Sequence, residues 1–417
     1  MIKLIRLVVF FLFLQGCFVF GQLGLGEFPQ GECFSGGQKF VLYDCGSTGV
    51  RAIAAFVNCR TGTIEIFHEE EDSAGFDLET RYHERIFLLR RISRSLELKY
   101  GYMPHIAIGT GGFRRAGDIG RNLTHDIEQM IGIDINIIPQ KHEGSLGYLG
   151  AKLKNPDIKK GSYVVDVGGS TIQITHEDFN VTGSNPRLVT STLRVAGAKI
   201  ASESFYQLVM RDLFNSNDFN CFPYPVDRQD LDAIIAKAKE VLLGVNGFGV
   251  ETIDELKFGI ESGREVYAIG PFFKFLIGHH VRKFVYENSR VVTKDNLESA
   301  MNLFLNKTTQ EVELLSPNPA KTVYFKVELT GLVLLYALMD LLEMNDFSIV
   351  ESGNTDGLLA IVKEKCECPF PELLPPSSFH EFSSALMLQM SSNNIGKELD
   401  FERFLKFGEF KLDEPNG

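Results

Sequence analysis

Positive charge is scarce in this chain: 42 Lys and Arg stand against 54 Asp and Glu over 417 residues, a formal net charge of −12. No basic stripe exists to neutralise a polyanionic backbone, which argues against nucleic acid as a partner. Phosphate chemistry is not excluded, because an acidic protein can keep its positive charge local. Membrane-length apolar runs are missing too. Leu7–Leu14 and Leu329–Leu342 both fall short of the roughly 20 residues a spanning helix needs, and Asp340 interrupts the second. That second stretch reads as a buried helix. No low-complexity tract occurs. Cysteine is sparse, at 7 residues. Without Cys17, Cys33, Cys45, Cys59, Cys221, Cys366 and Cys368 remain, an even number of the kind an oxidising compartment favours. Cys45, beside Asp44, reads as a small buried apolar residue.

The length suffices for two domains with full cores. Residues 1–22 read as a targeting segment, with Lys3 and Arg6 ahead of the apolar Leu7–Leu14. Two endings fit it. Leu14-Gln15-Gly16-Cys17 resembles a bacterial lipoprotein box, which would attach the protein to a membrane through lipidated Cys17. Cleavage after Val19-Phe20-Gly21 would instead release a soluble protein to the secretory pathway or the extracellular space. The sequons at Asn122, Asn180 and Asn306 tilt the reading toward a glycoprotein on a eukaryotic route.

What the chain has is a repeated unit. Phe40–Phe56 reads as a buried strand ending in Asp44, a turn of Gly46, Ser47, Thr48 and Gly49, and a returning strand over Ala52–Val57. Tyr163–His176 says nearly the same again: a strand, Asp166, a turn of Gly168, Gly169, Ser170 and Thr171, and a strand over Gln173–Thr175. Glycines allow close backbone approach to a ligand, and successive N–H groups in such a turn can nest an anion. The aspartates are hard oxygen ligands for a divalent cation. Either copy alone is equally an ordinary hairpin; two facing copies make a clamp for a metal–phosphate.

Around these units the spacing predicts a strand over Thr63–Phe67, a solvated loop over His68–Asp72, and a helix over Thr80–Tyr100. Strands follow at His105–Ile108 and Ile133–Ile138. The first leads to a glycine turn with Thr110, Arg114 and Arg115, equally a phosphate contact or a helix start. The second leads to Glu143 at a strand-to-helix junction, equally a catalytic position or an acid favouring the helix dipole. Further helices are predicted from Ser202, over Asp230–Leu243 with Asp230 as cap, over Thr293–Leu305 and over Phe379–Met390. Strands are predicted at Val266–Ile269 and Phe347–Glu351. Phe272, Phe273 and Phe275 read as core or as a base-stacking surface. Ser352–Gly357 is a third glycine turn.

Together these stations resemble the apyrase (nucleoside triphosphate diphosphohydrolase) family and the related exopolyphosphatase/guanosine pentaphosphatase family, of the actin–hexokinase–sugar kinase superfamily. Asp44–Arg51 is similar to the apyrase motif DAGSTGTR, departing at Cys45 and Val50. Gly109–Arg114 resembles ATAGLR. Glu143–Tyr148 resembles EGxYGW, with Tyr148 in place of a Trp, a residue this chain lacks. Asp166–Thr175 resembles DLGGASTQIT with its Ser-Thr pair displaced, and Tyr267–Phe273 resembles YAFSxFY in part. His142–Gly150 is similar to the polyphosphatase EEARLxYLG, and Glu351–Leu359 to its SxxGLREGLL.

The resemblance implies an α/β fold of two actin-like (ribonuclease H-like) lobes facing across a cleft. The expected division is a first lobe over 38–163, a second over 164–365, and a C-terminal segment over 366–417 free to return to the first lobe. It implies hydrolysis of a terminal phosphoanhydride, with Mg²⁺ or Ca²⁺, in nucleoside tri- and diphosphates or in polyphosphate. Glu143 would be the base. Gly46, Ser47, Thr48, Gly49, Arg51, Thr110, Arg114, Gly168, Gly169, Ser170 and Thr171 would bind phosphate. Asp44, Asp166 (through water) and Gln173 would hold the metal. A kinase of this superfamily would need a second substrate pocket. A non-catalytic phosphate- or nucleotide-binding protein on the same scaffold is the rival reading.

Overall fold

The structure, a computed structural model, describes residues 37–46, 49–58, 61–73, 82–168, 171–178, 187–193, 212–214, 224–244, 247–270, 272–273, 290–315 and 322–366. The targeting segment, the helices predicted from Ser202 and over Phe379–Met390, Phe275, and the turn tips Ser47, Thr48, Gly169 and Ser170 lie outside the described residues.

The first sheet starts as an antiparallel meander of β1 (Gln38–Cys45), β2 (Gly49–Asn58) and β3 (Thr63–Ser73). On the other side of β1, β4 (His105–Gly109) and β5 (Ile135–Ile137) add in parallel, for the order β3-β2-β1-β4-β5. The second sheet repeats this plan. A meander of β6 (Tyr163–Val167), β7 (Ile172–Asp178) and β8 (Arg187–Leu193) is extended beyond β6 by parallel β9 (Val266–Ile269) and β11 (Asp346–Ile349). One extra antiparallel strand, β10 (Val291–Thr293), closes the edge. The repeated unit therefore extends from two hairpins to two whole sheets.

Strand alternation divides the core. Val41 and Tyr43 of β1 face one side of the sheet, packed with Ile86, Leu89 and Ile92 of helix α1 (Tyr82–Tyr100). Phe113 of α2 (Gly111–Arg115) and Leu123 and Ile127 of α3 (Asp118–Ile131) lie in the same cluster. Leu42 of β1 and Ile53 and Ala55 of β2 face the other side, against Leu146 of α4 (Gln140–Lys154) and Leu358 and Leu359 of a C-terminal helix over Asn354–Cys366. Tyr148 and Ala151 of α4 pack on Val164 and Ile269 of the second sheet. Helix α4 thus touches both sheets and carries its first turn between them. Beyond the second sheet, Val165, Val167 and Ile174 pack with α5 (Arg228–Leu243), α6 (Val250–Glu261), α7 (Lys294–Asn302), α8 (Thr309–Glu313) and α9 (Thr322–Leu341). The C-terminal helix is α10.

Several expectations need correction. His68–Asp72 is not a loop but the second half of β3, paired with Ala54 through Val50 of β2. Its acidic side chains are tolerated because β3 is an edge strand and Arg51 and Arg91 answer them. The cap of α5 is Asp227; Asp230 completes a reciprocal capping box from the third helical position. Helix α4 starts at Gln140, so Glu143 lies inside its first turn. Ser352–Gly357 is less a turn than the start of α10. Phe272 and Phe273 are buried in the core, which removes them as a base-stacking surface. Cys45 is a buried free thiol with its pKa pushed up by burial. No helix among the described residues is long and apolar enough to cross a membrane.

Candidate functional site

Parallel pairing of β1 with β4, and of β6 with β9, ends both hairpins at the same edge of their sheets. At each turn the chain closes in the same way: Gly46 N–H donates to the Gly49 carbonyl at 2.9 Å, and Gly168 N–H to the Thr171 carbonyl at 3.0 Å. Asp44 and Asp166 stand at the two mouths. Thr110, just past β4, donates to Asp44 Oδ1 at 3.4 Å, and Asn354 Nδ2 donates to Asp44 Oδ2 at 3.0 Å.

Glu143 is brought between them by α4. The helix can come that close because Gly144, next to Glu143, carries no side chain. A Cβ on Gly144 would sit 2.5 Å from Thr190 Cγ2 and 2.7 Å from Thr175 Oγ1. Burial, followed by the charge of Glu143, raises the Asp44 pKa to about 7, against the hydrogen bond from Asn354. Burial likewise raises Asp166 well above the carboxylate range, with Glu143 and then Asp44 adding to it. Three carboxylates from three elements therefore share one electrostatic site. Glu143 is paired with Arg114 Nη2 at 2.5 Å, and Arg114 Nη1 donates to the Ile138 carbonyl at 2.7 Å. Arg114 is thereby held at the end of β5 and faces the carboxylate expected to be the base.

These residues fit a divalent cation. The Asp166 carboxylate forms no hydrogen bond among the described residues, and it sits in a glycine cradle. A Cβ on Gly270, whose φ is +105°, would lie 2.5 Å from Asp166 Oδ1, and one on Gly147 would lie 3.4 Å from Oδ2. Gln173 is fully buried; its Nε2 donates to Thr171 Oγ1 at 2.8 Å while its Oε1 has no partner among the described residues. Buried carboxylates with raised pKa values and an orphaned amide oxygen are the donor set a hard cation would satisfy. No group of three His, Cys, Asp or Glu side chains among the described residues is close enough to cage an ion.

Arg51 is placed otherwise than its motif suggests. Its guanidinium is taken up by Asp356 at 2.7 Å and Glu69 at 2.9 Å. Asp356 is fully buried, also meets Lys154 at 3.1 Å, and accepts from Gly353 N–H at 3.0 Å. This network fixes the first turn of α10 and with it Asn354. Neither Asn354 nor Asp356 was singled out in the sequence. The available signal was the third glycine turn, which follows a strand as the other two do.

No protein-family model and no curated protein sequence matches the chain. Solved structures do. The exopolyphosphatase of Cytophaga hutchinsonii is 16% identical, with 79% of this chain and 98% of that one covered, at a TM-score of 0.58. The PPX-GPPA enzyme of Aquifex aeolicus is 15% identical, with 78% and 99% covered, at a TM-score of 0.55. A nucleoside triphosphate hydrolase of Neospora caninum is 11% identical over 79% and 93%, but its TM-score of 0.43 is too low to carry weight. The chain has the α/β, two-lobed actin-like fold of its exopolyphosphatase neighbours.

Proposed function

We propose that this protein is a divalent-cation-dependent phosphoanhydride hydrolase of the exopolyphosphatase or guanosine pentaphosphatase kind. One observation carries the reading: Asp44, Asp166 and Glu143 converge beside two glycine turns that are closed by the same backbone hydrogen bond. The fold shared with exopolyphosphatases supports it.

In this reading the two turns hold the phosphates through backbone N–H groups, with Ser47, Thr48, Ser170 and Thr171 beside them. Asp44 and Asp166, through water, and the Gln173 amide oxygen would hold Mg²⁺ or Ca²⁺. When bound, the cation would supply positive charge to offset that of the phosphate oxygens. Phosphoryl transfer asks the protein mainly for positioning and charge stabilisation. Glu143 accepts a proton from the water that attacks the terminal phosphorus. The new bond is P–O to that water; the bridging P–O bond breaks, and the shortened chain leaves as an oxyanion. Arg114, already beside Glu143, exchanges part of its ion pair for the transferring group. Residues 1–22 support export as the route to the site of action.

The test is a phosphate-release assay on long-chain polyphosphate, guanosine pentaphosphate, GTP, ATP and ADP, each with Mg²⁺, Ca²⁺ or EDTA. Release from polyphosphate or guanosine pentaphosphate that stops in EDTA is expected. Release from ATP and ADP alone would return the protein to the apyrase reading, which the first hairpin and Gln173-Ile174-Thr175 motivate. Binding of these compounds without release would make it a non-catalytic receptor.

A further inference from the structure

We infer that Arg85, a residue of α1 outside every motif of the site, is a positioning residue for the first phosphate turn. The inference rests on the phosphate-binding reading of that turn. Arg85 is 0% exposed and stands among the largest fully buried side chains. Its Nη1 donates to the Gly46 carbonyl at 2.7 Å and to the Gly49 carbonyl at 3.4 Å. These two residues bracket the tip of the turn and are joined to each other by the Gly46–Gly49 bond of 2.9 Å.

Packing does not call for an arginine here. Its neighbours on α1, Ile86 and Leu89, lie in an apolar cluster with Val50, Ala52 and Ala54, and an apolar side chain of similar volume would fill the same space. Taking a guanidinium out of water costs several kcal/mol, returned only through well-made hydrogen bonds and charge contacts. The Gly46 and Gly49 carbonyls are polar partners for its guanidinium. One nitrogen holds both flanks from the interior side, so the Gly46 and Gly49 carbonyls are fixed before a ligand arrives. A fixed positive charge also stands behind the turn, where little solvent screens it, and favours an anion there.

Two substitutions separate this role from plain packing. Arg85→Met keeps the volume and removes both charge and donors; Arg85→Lys keeps the charge and loses the planar fork. The measurements are calorimetric binding of inorganic tripolyphosphate with Mg²⁺, steady-state polyphosphate hydrolysis, and the thermal midpoint of each variant. Arg85→Met should bind tripolyphosphate about tenfold more weakly or worse, with the loss in KM and kcat within about threefold, because Glu143 and Arg114 are held by other elements. Arg85→Lys should fall between the two at a near-wild-type midpoint.

Wild-type affinity and KM in both variants would overturn the inference, as would a lowered midpoint with unchanged affinity per folded molecule. If Arg85→Met does not fold, Arg85→Lys decides: unchanged tripolyphosphate affinity overturns the proposal. Failure of the wild-type protein to bind tripolyphosphate is a different result. It removes the phosphate reading of the turn, and this inference with it.

Discussion

Glu143 meets Arg114 at 2.5 Å, and that contact shapes what its replacement should do. Glu143→Gln keeps the length and one acceptor but cannot take a proton. Turnover should fall by about two orders of magnitude or more, the usual contribution of a general base. Substrate affinity should hold or tighten, since one negative charge leaves the site and Arg114 is freed for phosphate. Steady-state kinetics and calorimetry on the same preparation check both halves. Near-normal turnover would remove Glu143 as the base and leave it an acid at the start of α4. Loss of binding together with loss of turnover would point to a structural role instead.

The crossing of α4 and α10 is held open to close approach by missing side chains. A Cβ on Gly357 would come 2.1 Å from the Leu146 carbonyl oxygen, and one on Gly150 would come 2.7 Å from that of Gly353. The intruding atoms are backbone, so no rotamer change relieves them. Gly357→Ala should cost about 2 kcal/mol of stability, within the range for overpacked cores, read from urea unfolding. It should also push Asn354 from Asp44 and raise the Mg²⁺ needed for half-maximal activity. An unchanged unfolding midpoint would show that the crossing relaxes freely. Helix α5 offers a simpler check. Asp227→Ala removes the side chain that accepts from Asp230 N–H at 2.8 Å and should cost about 1 kcal/mol, as lost caps do. A larger cost from Asp230→Ala would return the cap to Asp230.

Across the whole molecule, the buried carboxylates set a pH dependence whose sign can be worked out. Asp44 and Asp166 have raised pKa values in the folded state, Asp44 to about 7. The folded protein then holds protons that the unfolded chain releases in the ordinary carboxylate range. This contribution to stability is fully present below that range; the Asp44 part is lost as pH rises through about 7, and the Asp166 part has the same sign. A second limb has the opposite sign. Burial, with Lys141 and Arg264 nearby, lowers His142 and His176 from 6.5 to about 4, so their contribution is lost as pH falls through that window. A cation relieves only the first limb. Saturating Mg²⁺ should therefore raise the thermal midpoint more at pH 8 than at pH 5, and Asp44→Asn with Asp166→Asn should abolish the difference. Equal stabilisation at both pH values would show that the cation binds elsewhere.

Local pattern was enough for the two hairpins, for α1, β4 and β9, and for the buried character of Leu329–Leu342, because period and turn chemistry act within a few residues of chain. The twin aspartates and Glu143 could be named for the same reason: each lies where a strand hands over to a turn or helix. Other outcomes depended on partners distant in sequence. His68–Asp72 extends β3 because β2 offers it a full register of hydrogen bonds and Arg51 and Arg91 offset its charge, which outweighs the polar composition. Arg51 belongs to a phosphate-like motif, yet Asp356, 305 residues away, takes its guanidinium. Nothing in local pattern sets Arg85 apart from the other arginines of α1; burial places it behind the first turn. The sequence determined which groups the protein can offer to a phosphate. Only the folded packing of α1, α4 and α10 decided which of them are spent on holding one another, because a charge removed from water must find its partner wherever the chain has placed one.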